Sequence, residues 1–192
     1  MADTRERNAN YTGDDQSTIE WQAKSDVLIA EFGRARLKDD ATLTALDRDL
    51  IKELVVLYDN AFDALDKESF LKTMTADVEY QSNAFGNTAG HTGMSAWWDE
   101  FTKAFHSKRH LLTNFVLIGG GDSARAMSYL TVHERIDHTD MVGTCTYFDD
   151  FTKNAAGAWR ISKRIQILDP GMTKTKSGQA LLKAYFDSKQ QK

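Results

Sequence analysis

A change of hydrophobic period near residue 106 constrains this chain more than any other feature. Before it, apolar residues recur at helical spacing, and Leu50, Ile51, Leu54, Val55, Tyr58 and Phe62 form one broad face. After it the period falls to two. Arg109 to Ile118, Ala124 to Ile136, Met141 to Lys153 and Trp159 to Leu168 read as strands, separated by turns at Gly119 to Asp122, Asp137 to Asp140 and Asn154 to Gly157. Four long strands joined by short turns predict an antiparallel meander. Helices first and a curved sheet after is an α+β order, in which one sheet face wraps the helices and encloses a pocket.

The remaining elements decorate that plan. Residues 1–15 are polar and read as disordered, and a helix is expected from Ser17 to Leu37. Thr44 can cap the next helix, with Asp47 in its acidic first turn. A short helix from Lys67 to Met74, a strand from Asp77 to Ser82, a Gly/Asn-rich loop from Asn83 to Gly93 and an aromatic-rich helix from Met94 to Phe105 precede the meander. Pro170 and Gly171 end its last strand, and Lys176 to Lys189 predicts a C-terminal helix. The expected division is an N-terminal extension over 1–43, one domain over 44–170 and a C-terminal helix over 171–192.

Bulk properties narrow the function. A chain of 192 residues, 41% hydrophobic, buries one good core. Its net charge of -4, with basic residues scattered among acidic ones, argues against nucleic acid as a partner. The single Cys145 excludes an internal disulfide and a Cys-rich zinc cluster, and fits a reducing cytoplasm, the expected location. No run approaches the length needed to cross a bilayer, so no membrane partner is expected. No metal is expected either: His106 and His110 stand four apart, but the segment between them leads into a strand, and no HExxH accompanies them. Gly119-Gly120-Gly121 lacks a following Lys-Ser/Thr and reads as a hairpin turn rather than a phosphate loop.

The residues that can carry chemistry are Asp63, near the end of the long helix, and His110, at the head of a strand. A carboxylate held against an imidazole fixes the ring's tautomer and raises its basicity, so the pair can move a proton without metal or cofactor. Alternation puts His110, Leu112, Asn114, Val116 and Ile118 on one side of their strand, so His110 and Asn114 share it, and Tyr129, Thr131, His133 and Arg135 on one side of the next. If both polar sides face the pocket, they converge on Asp63; the other register turns them to solvent. Tyr58 and Tyr80 could donate to a developing oxyanion, although a core-edge role is the commoner one for a tyrosine. Trp97, Phe85 and their aromatic neighbours could line a cavity or simply fill a core.

The order Ile51, Leu54, Tyr58, Ala61, Asp63, Asp66, then His110-Leu-Leu-Thr-Asn114, then Tyr147-Phe-Asp149-Asp-Phe151 and Trp159-Arg160-Ile161 resembles the SnoaL-like branch of the nuclear transport factor 2 superfamily over about 46–168. Within it the chain is most similar to cofactor-independent lyases: scytalone dehydratase, bile acid 7α-dehydratase and hexachlorocyclohexane dehydrochlorinase. The resemblance implies a cone-shaped α+β barrel with a strongly curved, mostly antiparallel sheet packed on N-terminal helices. It implies Asp63 and His110 as the catalytic pair, Tyr58 and His133 as further catalytic groups, and Tyr80 as a second phenol. Asn114, Trp97, Phe85, Tyr129 and Tyr147 are the expected substrate-binding residues, with no cofactor. Homo-oligomers, trimers before dimers, are common in such lyases. The expected activity is elimination of water from a bulky hydroxylated aromatic molecule, with formaldehyde loss if the substrate is a lignin-derived diarylpropane. An isomerase or cyclase on the same scaffold, or a non-catalytic binding module, would share most of these features.

Overall fold

Thr44 begins the first long helix as expected: its hydroxyl accepts from the Asp47 N–H at 3.0 Å. Asp47 in turn accepts from Lys153 at 2.7 Å and from the Trp159 indole at 2.9 Å, tying the start of that helix to the last hairpin. These bonds hold the Asp47 carboxyl well below the ordinary carboxylate range. The computed structural model describes residues 16–38, 43–135 and 140–190. The expectations for residues 1–15, for positions 39–42 of the linker and for the turn at 137–139 lie outside the described residues.

In chain order the elements are α1 (Gln16–Lys38), α2 (Ala45–Ala64), α3 (Lys67–Lys72), β1 (Met74–Ser82), β2 (Gly86–Ala89), α4 (Gly90–Ala104), β3 (Lys108–Gly120), β4 (Ser123–Glu134), β5 (Met141–Lys153), β6 (Trp159–Leu168), a 3-10 turn at Pro170–Thr173 and α5 (Lys176–Gln190). The strands form one sheet in the order β2-β1-β6-β5-β4-β3, with β1 and β6 parallel and every other pair antiparallel. The sheet does not close into a barrel, because β2 and β3 remain its edges. β2 lies inside the segment expected to be loop. Its Gly-Asn-Thr-Ala sequence has no strand pattern of its own and is drawn into the sheet by pairing with β1.

Two apolar layers flank the sheet. Its inner face packs against α2, α3, α4 and α5 through residues such as Ile51, Val55, Phe62, Phe70, Met94 and Phe101. Its outer face carries Met127, Phe148 and Ile167, which are covered by Phe32, Trp21, Leu28 and Ile29 of α1.

The register of β3 changes part-way. Between Thr113 and Val116 the pairing with β4 shifts, and Asn114 adopts a left-handed conformation with φ 52°. Leu112 therefore packs with the inner core, while Val116 and Ile118 pack with the outer layer. The expectation that His110, Asn114, Val116 and Ile118 share one side is corrected accordingly: the bulge intervenes, and Asn114 is exposed at it. An L residue with a branched Cβ is strained there, whereas Asn and Gly tolerate it. We expect Asn114→Val to cost about 1–2 kcal/mol in urea unfolding and Asn114→Gly to cost little or nothing.

Candidate active site

Asp63 occupies the last turn of α2, which ends at Leu65 in a left-handed conformation with φ 57°. A carboxylate at the negative end of a helix is disfavoured by the macrodipole and so gains from a cationic or donating partner. It has three. His110 Nδ1 donates to Oδ1 at 2.6 Å, the His110 backbone N–H donates to Oδ2 at 3.2 Å, and Arg109 Nε lies 3.6 Å from Oδ2. The side chains of Asp63 and His110 are only 7% and 6% exposed, so water competes little for this contact. An ionised carboxylate can only accept, so the proton sits on Nδ1 and Nε2 is the basic nitrogen. β3 is anchored for this purpose at its first residue, where buried Lys108 pairs with Glu134 of β4 at 2.9 Å.

His110 lines a partly open cavity of about 30 Å³ between the inner sheet face and the helices. Tyr58 and Phe62 enter from α2, Trp97, Phe101 and Phe105 from α4, Tyr147 and Cys145 from β5, and Gln166 and Leu168 from β6. The Trp97 and Phe101 rings stack at 4.7 Å, and His110 lies against Phe62 and Phe105 at 5.7 and 5.2 Å. Met172, in the 3-10 turn after β6, closes one side against Gly143. A side chain at Gly143 would collide with it, since a Cβ there would stand 2.8 Å from Met172 Cγ. Tyr185 of α5 braces the same side by donating to the Phe85 carbonyl at 3.0 Å.

Beneath the cavity the floor is ionic. Arg164 of β6 donates through Nε and Nη2 to Asp149 of β5 at 2.7 and 2.8 Å, and its guanidinium lies 3.9 Å from the ring centres of both Tyr58 and Tyr147. Burial opposes the charge on Arg164, yet Asp149 outweighs it and holds the guanidinium well above its usual range. Burial raises the Asp149 carboxyl against the pull of Arg164, but a fork with both nitrogens donating is the geometry of an ionised carboxylate. Burial also pushes the phenols of Tyr58 and Tyr147 and the Cys145 thiol up, so they are neutral donors rather than bases or nucleophiles.

The expected site residues separate into two groups. Asp63, His110, Tyr58, Trp97, Phe85 and Tyr147 come together in or beside the cavity. Tyr80 stands one layer back: its O–H donates to Gln166 Oε1, while Gln166 Nε2 reaches Cys145 Sγ at 3.6 Å, so Tyr80 orients a residue that faces the cavity. His133, Tyr129 and Asn114 do not face it. On β4 the residue opposite His110 is Val132, which lines the cavity, and alternation turns His133 away. Tyr129 shares that outer side and packs on the layer under α1. Gln166, Thr144, Met172 and the Arg164–Asp149 fork were not anticipated. In a strand, Arg, Asp and Gln at alternate positions carry the pattern of a solvated face, and no local signal distinguishes them. Among the described residues no group of three or more His, Cys, Asp or Glu converges as a metal site would, and no helix is long and apolar enough to cross a membrane.

Residues 43–165, which hold the whole Asp63–His110 arrangement, match the SnoaL-like domain family. The chain belongs to that family. Similar solved structures include a Nostoc punctiforme protein of unknown function with a cystatin-like fold, which is 30% identical over 69% of this chain and 98% of that one, at a TM-score of 0.65. LinA is 18% identical over 65% of this chain and 86% of its own, at 0.58. A Novosphingobium aromaticivorans protein with the provisional name scytalone dehydratase is 16% identical over 64% and 86%, at 0.57. The last two likenesses speak for the fold alone. Among curated proteins none matches significantly. The SnoaL-like family thus accounts for the α+β frame around this site, and similar folds include proteins named as enzymes beside others of unknown function.

We expect Asp149→Ala to destabilise the protein by about 3–5 kcal/mol, because it leaves a guanidinium buried without its carboxylate. Replacing both partners, Asp149→Leu with Arg164→Met, should recover most of that loss in denaturant unfolding.

Proposed function

We propose that the protein is a cofactor-independent lyase that eliminates water from a bulky hydroxylated aromatic molecule. The observation that carries this reading is the Asp63–His110 pair, bonded at 2.6 Å and opening through His110 on an aromatic cavity. His110 Nε2 takes a proton from a substrate hydroxyl or carbon, and Asp63 stabilises the imidazolium that forms. The neutral phenols of Tyr58 and Tyr147 and the amide of Gln166 are the donors available to a departing oxygen. The indole N–H of Trp97 is buried and has no hydrogen-bond partner among the described residues, which leaves it free for a ligand. Acid/base catalysis of this kind contributes roughly 10²–10⁴ in rate, and exclusion of water strengthens every polar contact.

A substrate with a para-phenolic ring suits this set. His110 takes the phenolic proton, the benzylic hydroxyl departs carrying that proton away as water, and a neutral quinone methide and a neutral His110 remain. In a lignin-derived diarylpropane with a neighbouring primary alcohol, His110 then removes the alcohol proton. The carbon–carbon bond to that carbon breaks, formaldehyde leaves, and the released electron pair forms the alkene while the ring regains its aromaticity as a phenolate. The cavity of about 30 Å³ holds one or two waters, not two rings. In this reading the turn carrying Met172, together with α5, moves to admit substrate and returns to exclude solvent.

The test is incubation of purified protein with hydroxylated diarylpropanes and steroids, following product mass and free formaldehyde. Wild type is expected to release water, with formaldehyde from the diarylpropanes, and His110→Ala and Asp63→Asn to be at least about 100-fold slower. A product of unchanged mass would make it an isomerase or cyclase. Tight binding with no turnover would make it a binding module.

A further inference from the structure

Asp59 precedes Asp63 by one helical turn, so the two carboxyl groups share a face of α2 with Cβ atoms about 5–6 Å apart. It is 5% exposed, and neither of its oxygens has a hydrogen-bond partner among the described residues. A carboxylate in that condition costs more stability than an asparagine at the same place, because an uncompensated charge is harder to bury than an amide.

Its electrostatic surroundings say what the charge can act on. Around Asp59 stand Tyr58 and Asp63 of α2, His110 of β3, Cys145, Tyr147 and Asp149 of β5, and Arg164 of β6. The two phenols and the thiol are neutral. Arg164 and Asp149 neutralise each other through their fork. What remains is the His110–Asp63 pair. While His110 is neutral, two carboxylates on one helix face repel each other; once it takes a proton, a single imidazolium relieves both. The coupling is reciprocal, since His110 favours the charge on Asp59 as much as Asp59 favours the charge on His110.

We propose that Asp59 is a positioning residue of the acid/base centre, whose buried carboxylate acts through space to favour the protonated state of His110. This rests on the acid/base reading of the Asp63–His110 pair. Burial, opposed by His110 and Arg164, pushes the Asp59 carboxyl up to about 6. Its charge, and hence its support of His110, is present above that pH and fades below it. The sign for stability is opposite. A carboxyl whose value is raised on folding binds more protons in the folded state, so its ionisation costs stability above about pH 6, and the cost vanishes below the ordinary carboxylate value near 4.

Two readouts of Asp59→Asn follow. The titration midpoint of His110, read by imidazole NMR and assigned from His110→Gln, should fall by about one unit, a tenfold loss of proton affinity. The thermal midpoint should rise by several degrees at pH 8 and be unchanged at pH 4. A purely structural Asp59 would move the second and not the first, and an unmoved His110 midpoint overturns the proposal. If Asp59→Asn fails to fold, wild type decides: carboxyl-carbon NMR should find Asp59 titrating near 6, with His110 inflecting at the same pH, and a His110 curve without that inflection overturns it. Neither readout needs a substrate. Turnover with an unmoved His110 sinks this inference alone, whereas a shifted His110 in a protein that transforms nothing sinks the lyase reading alone.

Discussion

The Arg164–Asp149 fork is the interaction on which the interior depends. It sits at the centre of the sheet, on neighbouring strands β5 and β6, and it holds two phenols that meet edge to face: Tyr147 from the same sheet and Tyr58 from α2. A helix lying in a concave sheet can slide as long as its contacts are only apolar. A guanidinium carbon 3.9 Å from the Tyr58 ring centre restricts that freedom, because the contact demands one position along the helix. Asp63 is five residues further along α2. Once Tyr58 is seated, Asp63 arrives at the end of β3, where His110 and its backbone N–H are waiting.

Burial, rather than the fork, explains why the cavity is polar in function though apolar in most of its lining. Two phenols held neutral by burial can donate but cannot take a proton. Cys145 is held neutral in the same way. That leaves His110, with Nδ1 committed to Asp63, as the imidazole at the wall. The division of labour between one base and several donors therefore follows from burial, before any substrate is considered.

Much of this was legible in the chain. β5 and β6 have the bounds their alternation predicts, α1 and α5 come within a residue or two of theirs, and α2 starts where its Thr44 cap predicts. Asp63 and His110 could be singled out because one sits on a helix stripe and the other opens a strand, and neither position depends on the bulge beyond. Alternation also groups Tyr129 with His133 correctly. It could not say which side of β4 faces the helices, since both sides carry apolar residues: Leu130 and Val132 inward, Met127 and Tyr129 under α1. The outer layer exists because α1 covers it, and a sheet covered on both faces loses the polar/apolar contrast that reveals register. Asn114 misled for a different reason. Its left-handed conformation inserts the bulge, and a single residue out of phase reverses the side assigned to Val116 and Ile118.

The C-terminal segment carries the remaining argument. Val142, Gly143, Thr144 and Cys145 all border the cavity, which regular alternation forbids; the register shift opposite Val132 and His133 makes it possible. That irregular stretch of β5 is where the 3-10 turn and α5 attach: Thr175 donates to the Val142 carbonyl at 2.7 Å, and Met172 fills the space left by Gly143. The 3-10 turn and α5 thus meet the cavity wall at one of the irregular stretches of the sheet, and in the proposed reading they part there to admit substrate. Closing them again would shut out water around His110, where a low local dielectric strengthens the bond to Asp63 and makes the stray charge of Asp59 felt. A cavity that is almost full when empty of ligand is then consistent with a large substrate in the proposed reading, because Met172 fills it from beside β5, where the register shifts.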